Sequence, residues 1–133
     1  MLEEGLDSLL RANPVLMLQL ASGPQPVLLG PDDALPALTY SQITGGKEYT
    51  LSGNGVARKL FQFDAWSRDN GRGTYAEVKT IQAILRASLD GWSGTLSDGT
   101  VVLSITVSNE GDFYESDSRS YRCMSEFEVQ YQN

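Results

Sequence analysis

Val56-Ala57-Arg58-Lys59-Leu60-Phe61-Gln62-Phe63-Asp64-Ala65-Trp66-Ser67, then Asp69-Asn70-Gly71-Arg72-Gly73, then Thr74-Tyr75-Ala76-Glu77-Val78 running on to Asp90-Gly91, is the stretch that decides the fold. Its first part alternates with period two, the repeat of a strand. Phe61, Phe63 and Ala65 share one face; Arg58, Leu60, Gln62, Asp64 and Trp66 share the other. Asn70-Gly71 marks a turn, because both residues tolerate positive φ at small cost. The last part changes to a helical repeat. Thr74 and Glu77 have capping-box spacing. Val78, Ile81, Leu85 and Leu89 recur at three and four residues and form one apolar stripe. Gly91 stands where a left-handed C-terminal cap is wanted, and Trp92 follows in position to fold back. A two-faced strand followed by a one-faced helix predicts a sheet with a helix laid on its apolar side.

Towards the C-terminus, Val101 to Val107 alternates, with Val101, Leu103, Ile105 and Val107 predicted on one face. Asn109 to Ser118 is polar and acidic and reads as a turn holding Phe113 and Tyr114. Tyr121 to Tyr131 alternates without a break. Tyr121, Cys123, Ser125, Phe127, Val129 and Tyr131 face one way; Arg122, Met124, Glu126, Glu128 and Gln130 face the other.

Towards the N-terminus, Ala37 to Ile43 reads as a strand, with Leu38 and Tyr40 opposite Thr39, Ser41 and Ile43. Thr44 to Gly55 holds four glycines and is too long for a tight turn, so a flexible hairpin arm is expected. Residues 21–36 carry Pro24, Pro26, Pro31 and Pro36 and form a connector. Residues 1–20 form an N-terminal helix on Leu2, Leu6, Leu9 and Leu10, ended or kinked at Asn13-Pro14, with a second short helical turn over Val15 to Leu20. The expected fold is α+β: a small mixed or antiparallel sheet of about four strands, made of two hairpins, packed against one long helix, plus the N-terminal helix. One domain spans 1–133, with its core in 37–133 and the arm at 44–55.

The 133 residues fit one domain able to bury a core without disulfide or metal. Seventeen acidic residues against ten basic give a net charge of −7, which disfavours binding to phosphate backbones. Histidine is absent, which removes the commonest general base and metal ligand. The single cysteine, Cys123, excludes an internal disulfide and reads as a small buried hydrophobe. Met-Leu-Glu-Glu lacks the basic start of a signal peptide, and Val15 to Leu20 is too short to span a bilayer, so a soluble, cytoplasmic setting and no membrane partner are expected.

Two apparent motifs fail. Gly45-Gly46-Lys47 lacks the first glycine of a phosphate loop, where Ser41 stands, and Glu48 replaces its hydroxyl residue. Gly91-Trp92-Ser93-Gly94-Thr95 lacks the last glycine of a nucleophile elbow, and no histidine completes a triad. Carboxylate chemistry would draw on Asp64, Glu110, Asp112, Glu126 and Glu128, and a divalent metal on Asp112, Glu115 and Asp117, but neither set has a diagnostic spacing. No catalytic residue, metal site or cofactor is expected. An interaction protein fits better. Leu60, Gln62, Asp64 and Trp66 make an outer strand face that needs a cover, from the N-terminal helix or from a neighbouring subunit. The arm, with Lys47, Glu48, Tyr49 and Leu51, is long for so small a domain.

Several segments together resemble one known family. They are Leu35 to Tyr40, Ile43 to Gly46, Glu48 to Gly53, Ala57 to Ser67, the helix from Tyr75 to Gly91, Gly94-Thr95-Leu96, Asp112-Phe113-Tyr114-Glu115 and Tyr121-Arg122 leading into the last strand. The chain resembles the tail-completion proteins of long-tailed bacteriophages and prophages, also called tail-terminator or head-tail joining proteins. The resemblance covers Leu35 to Tyr131. It implies a non-enzymatic virion protein that forms a ring, commonly a hexamer, at the head-proximal end of the tail tube. Such a ring ends tube polymerisation and offers the surface to which the head attaches. The implied partners are further copies of the chain, the major tail tube protein and a head-completion or connector protein. DNA would pass through the lumen without specific binding. Assembly would take place in the host cytoplasm. Lys47, Glu48, Tyr49, Leu51, Gln62, Asp64 and Trp66, with Phe113 and Tyr114, are the expected contacts with neighbouring subunits or the tube. A neck or head-tail connector adaptor of similar fold is the alternative.

Overall fold

A computed structural model gives the fold, and it describes residues 2–20, 24–26, 36–49, 55–68, 74–116 and 120–132, without the side chains of 25–26, 44–49, 68 and 74. Two N-terminal helices, α1 (Leu2–Arg11) and α2 (Pro14–Gln19), precede a two-residue strand β1 (Gln25–Pro26) and the long strands β2 (Ala37–Tyr49) and β3 (Gly55–Arg68). Then come α3 (Thr74–Leu89), a two-residue strand β4 (Gly94–Thr95), and the long strands β5 (Val101–Glu115) and β6 (Ser120–Gln132). The sheet order is β1-β2-β3-β6-β5-β4. The four long strands are antiparallel throughout, and only β1 on β2 is parallel. Two hairpins separated by a helix are the predicted α+β architecture, with β6 rather than β5 placed beside β3.

One face of the sheet is covered. Leu38 and Tyr40 of β2, Phe61, Phe63 and Ala65 of β3, Cys123, Phe127 and Val129 of β6, and Val102, Ile105 and Val107 of β5 turn towards the helices. Val78, Ile81, Leu85 and Leu89 of α3 pack onto them, as the helical stripe predicts. Phe63 meets Phe127 edge-on at 5.7 Å, a favoured aromatic geometry. Gly91 has φ +81°, the left-handed cap expected at the end of α3, and its N–H donates to Ile105 O at 2.7 Å. Trp92 packs partly buried against the same core.

The N-terminal helices join this layer. Leu2, Leu6 and Leu10 of α1 lie in the core, and α1 lines a small gap with Tyr40, Phe61 and Phe63. Asn13 breaks the two helices apart: its Oδ1 accepts from the N–H groups of Val15 and Leu16, and its Nδ2 donates to Ser88 Oγ of α3 at 2.6 Å. Lys59 of β3 pairs with Glu3 of α1 at 3.0 Å, and Tyr40 donates to Asp7 at 2.8 Å. Burial and this bond push the Tyr40 phenol up to about 12.

Four expectations are corrected. First, Thr44 to Tyr49 is not a free arm. It continues β2 in register with Gly55 to Leu60, and β3 remains paired with β6 as far as Val56↔Gln132. Tertiary pairing overrides the glycines of this stretch; residues 50–54, including Leu51, lie outside the described residues. Second, Asn109 to Glu115 is strand, held in register by Ser120 to Glu126. Third, bulges between Val102 and Ser104 and between Val107 and Asn109 shift the alternation of β5. Val102 is therefore buried in place of Leu103, which is exposed. Fourth, α1 lies on the same face as α3, so it is not the cover for Leu60, Gln62, Asp64 and Trp66. The connector of 21–36 is described only at Pro24, β1 and Pro36, and the Thr74 side chain of the expected capping box is outside the described residues.

Candidate subunit interface

The face opposite the helices is built from the alternate residues of the same strands. Register places Ala37, Trp66, Arg122 and Phe113 in one row across β2, β3, β6 and β5. The next row is Thr39, Asp64, Met124 and Gly111; the next is Ser41, Gln62, Glu126 and Asn109. Ala37, Thr39 and Met124 in these rows are buried, while Asn109 and Phe113 at the β5 end are exposed; among the described residues, no helix or strand packs over the rows, and the sheet contacts of α3 go to β3, β6 and β5 through the helix-covered face.

Arg122 organises this open face. Its guanidinium carbon lies 4.4 Å from the Phe113 ring centroid and 5.6 Å from that of Trp66. Its Nη1 is 3.0 Å from Asp64 Oδ1, and its Nε is 3.1 Å from Glu115 Oε1. The planar guanidinium can stack on rings and bond carboxylates at once, which an ammonium cannot do. Asp64 also accepts from Gln62 Nε2 at 2.9 Å, and Trp66 Nε1 donates to Thr39 Oγ1 at 3.0 Å. Gly111 makes room for the stack, since a Cβ there would sit 3.2 Å from Phe113 Cε2.

Of the predicted contact residues, Gln62, Asp64, Trp66 and Phe113 thus come together. Phe113 is 44% exposed, so its ring is half available to a partner. Tyr114 is not part of this group. It points to the helix side, where its ring meets Tyr121 at 5.1 Å, and Tyr121 meets Tyr75 at 5.6 Å. Lys47, Glu48 and Tyr49 belong to β2 by backbone, and their side chains lie outside the described residues. Arg122 was missed by sequence reasoning. The available signal was an arginine in an otherwise acidic and neutral strand face, set to pair across from Trp66.

Three of the predicted carboxylates are ion-paired with arginines. Asp64 is tied to Arg122, Glu110 to Arg86 at 3.4 Å, and Glu128 to Arg58 at 3.8 Å. Asp112 lies on the helix face, where it accepts from Tyr75 Oη at 2.7 Å, from Lys79 Nζ at 3.2 Å and from Cys123 Sγ at 3.3 Å. The Tyr75 bond, with those from Cys123 and Lys79, holds its carboxyl below the usual carboxylate range against the effect of burial. Glu115 turns to Arg122 on the opposite face, so Asp112 and Glu115 cannot share a metal, and Asp117 lies outside the described residues. No group of three acidic or thiol side chains among the described residues could hold one. Burial and the Asp112 bond push the Cys123 thiol up to about 12, consistent with a structural cysteine.

Comparison with known proteins points the same way. A solved chain described as "Virion of native gene transfer agent (GTA) particle" is similar with a TM-score of 0.71 at 16% sequence identity, covering 95% of this chain and 90% of that one. At that identity the likeness shows a shared fold. Among curated proteins, none matches. The family model for Tail completion protein gp17 matches residues 5–132, nearly the whole length. The α+β sheet, its open face and this full-length match agree, and the chain belongs to the tail completion protein gp17 family.

Proposed function

We propose that the chain is a structural virion protein that forms a hexameric ring at the head-proximal end of a phage-type tail tube. There it stops tube polymerisation and presents the surface to which the head attaches. Its contacts are with its own copies, the tail tube protein and a head-side connector protein. It works by shape and surface charge, with no bond-making step.

The observation that carries this reading is the one-sided sheet. Four strands of 13 to 15 residues bury one face under helices and leave the other with a stacked Trp66–Arg122–Phe113 row. Aromatic and arginine side chains are the types that dominate protein contacts. The acidic balance suits a conduit for DNA, because phosphate is retained by basic contacts that release its counterions. Family membership and the fold shared with a chain of a virion particle support the same role.

Loss of the gene in the phage or prophage that encodes it is the test. Overlong or unstable tails without heads are the expected result. Tails of normal length beside full, unjoined heads would move the chain to the connector side of the junction. Normal infectious particles would overturn the reading.

A further inference from the structure

The two outer edges of the sheet differ along their length, and the difference is diagonal. β1 pairs with β2 only at Thr39 and Tyr40. From Thr44 to Tyr49 the outward edge of β2 has no partner strand among the described residues. At the other side, β4 pairs with β5 only at Val101 and Val102, and the end of α3 covers the next turn of the edge. There Gly91 N–H donates to Ile105 O, and Val107 N–H donates to Asp90 Oδ1 at 3.0 Å. From Asn109 to Phe113 the outward edge of β5 again has no partner strand among the described residues. The two open stretches are regular, because the bulges of β2 and β5 fall before them.

Unpaired edges of this length are templates for another strand, and proteins that do not use them normally blunt them. Three features fit them to each other. Their lengths match, at five to six residues. Their sense matches: the four long strands alternate in direction, so β5 of one copy and β2 of an identically oriented copy run antiparallel, like every long pair within the sheet. Their positions match a closed sheet. Followed through the register, Thr44 to Tyr49 lies level with Gly55 to Leu60, and Asn109 to Phe113 lies level with Gln62 to Trp66. Joining them offsets successive copies by about seven residues, roughly 23 Å at the rise of an antiparallel strand. Over four strands spaced about 4.8 Å apart, that offset tilts the strands by about 50°, close to the 35–45° at which sheets close into barrels.

We propose that copies of the chain join by strand addition, the Asn109–Phe113 edge of one pairing with the Thr44–Tyr49 edge of the next, so that the ring is one continuous, staggered sheet. The contact is heterologous and repeats around an axis, which is how a ring rather than a two-fold dimer arises. The helices lie outside, and the open face lines the lumen. That wall carries Asp64, Glu115, Glu126 and Glu128 against Arg58 and Arg122, and Arg122 is already held by Asp64 and Glu115. This inference rests on the ring reading above and specifies how the ring is made.

Cysteine pairs placed across the proposed joint test it in assembled particles. Glu48→Cys with Asn109→Cys samples one register, and Tyr49→Cys with Glu110→Cys the neighbouring one. Strands in register bring Cα atoms within disulfide range. Mild oxidation should give, for at least one pair, a ladder of covalent multimers ending at a fixed number, absent from each single variant. Particles in which the chain is a ring by electron microscopy, but neither pair cross-links, would overturn strand addition and leave the ring reading standing. A chain present in tails as isolated copies would overturn both.

Discussion

The two faces of the sheet come from the same strands and are opposite in character. On the covered face Phe61, Phe63, Phe127, Ile105 and Val102 are packed under α1 and α3, with α2 resting on both helices. On the open face the neighbouring residues are Gln62, Asp64, Arg122, Glu126 and Phe113, tied to one another across strands. The covered face holds its residues by removal of apolar surface from water, which is large and non-directional. The open face holds its residues by a stacked cation and charge-assisted bonds, which are individually smaller and directional. The difference separates two jobs. The first face supplies the hydrophobic core; the second is tied together across strands and, in the proposed ring, faces the axis.

Substitutions sort along that division. Phe127→Ala, at a fully buried position in edge contact with Phe63, should destabilise the isolated domain by about 3–5 kcal/mol in chemical denaturation. A loss below about 1 kcal/mol would mean that this face is not the core. Arg122→Ala removes the partner of Asp64 and Glu115 and should cost about 1–3 kcal/mol, and, by freeing Phe113 on the proposed joining edge, should leave a folded monomer that assembles less well into tails. Arg122→Lys sharpens the point: it restores the charge but not the planar stack, so it should recover stability more than assembly. Equal recovery of both would make Arg122 a purely structural residue. Gly91→Ala places a Cβ at φ +81° and should cost about 1 kcal/mol, with assembly unaffected.

The smallest effect concerns acid. The Asp112 carboxyl titrates below its ordinary value in the folded chain, chiefly through Tyr75. The stability it contributes is therefore present above the ordinary carboxylate pKa and is lost as pH falls through the depressed folded value. Asp112→Asn should flatten this part of the acid limb of a stability–pH curve and leave neutral-pH tail joining intact. The shift in the curve will be slight, because the side chain is 39% exposed and screened by water. An unchanged acid limb would show that the Tyr75–Asp112–Lys79 contacts contribute nothing to folding.

Much of the covered face was legible in the sequence, because its residues obey simple periods. The stripe from Val78 to Leu89, its Gly91 cap, and the unbroken alternation from Tyr121 to Tyr131 each name their own structure. β5 was legible only in part. Its bulges at Leu103 and Ser108 each insert a residue, and an inserted residue reverses the alternation that sequence reasoning relies on. Its second half also looked like a turn, since Glu110 and Asp112 find their side-chain partners on α3. Thr44 to Tyr49 failed for the same reason: paired glycines signal a loop locally, and only pairing with β3 makes them strand. Of the open face, the strand alternation gave Gln62, Asp64 and Trp66. The central role of Arg122 depends on cross-strand register, which one strand read alone does not contain.

The most direct measurement is a reconstruction of the assembled particle with this chain located in it. The expected result is a ring of identical copies at the junction of tail and head, with Trp66, Arg122 and Phe113 on the axial side and α1 and α3 outside. Density for the chain elsewhere in the particle, or a ring with the helices towards the axis, would contradict it.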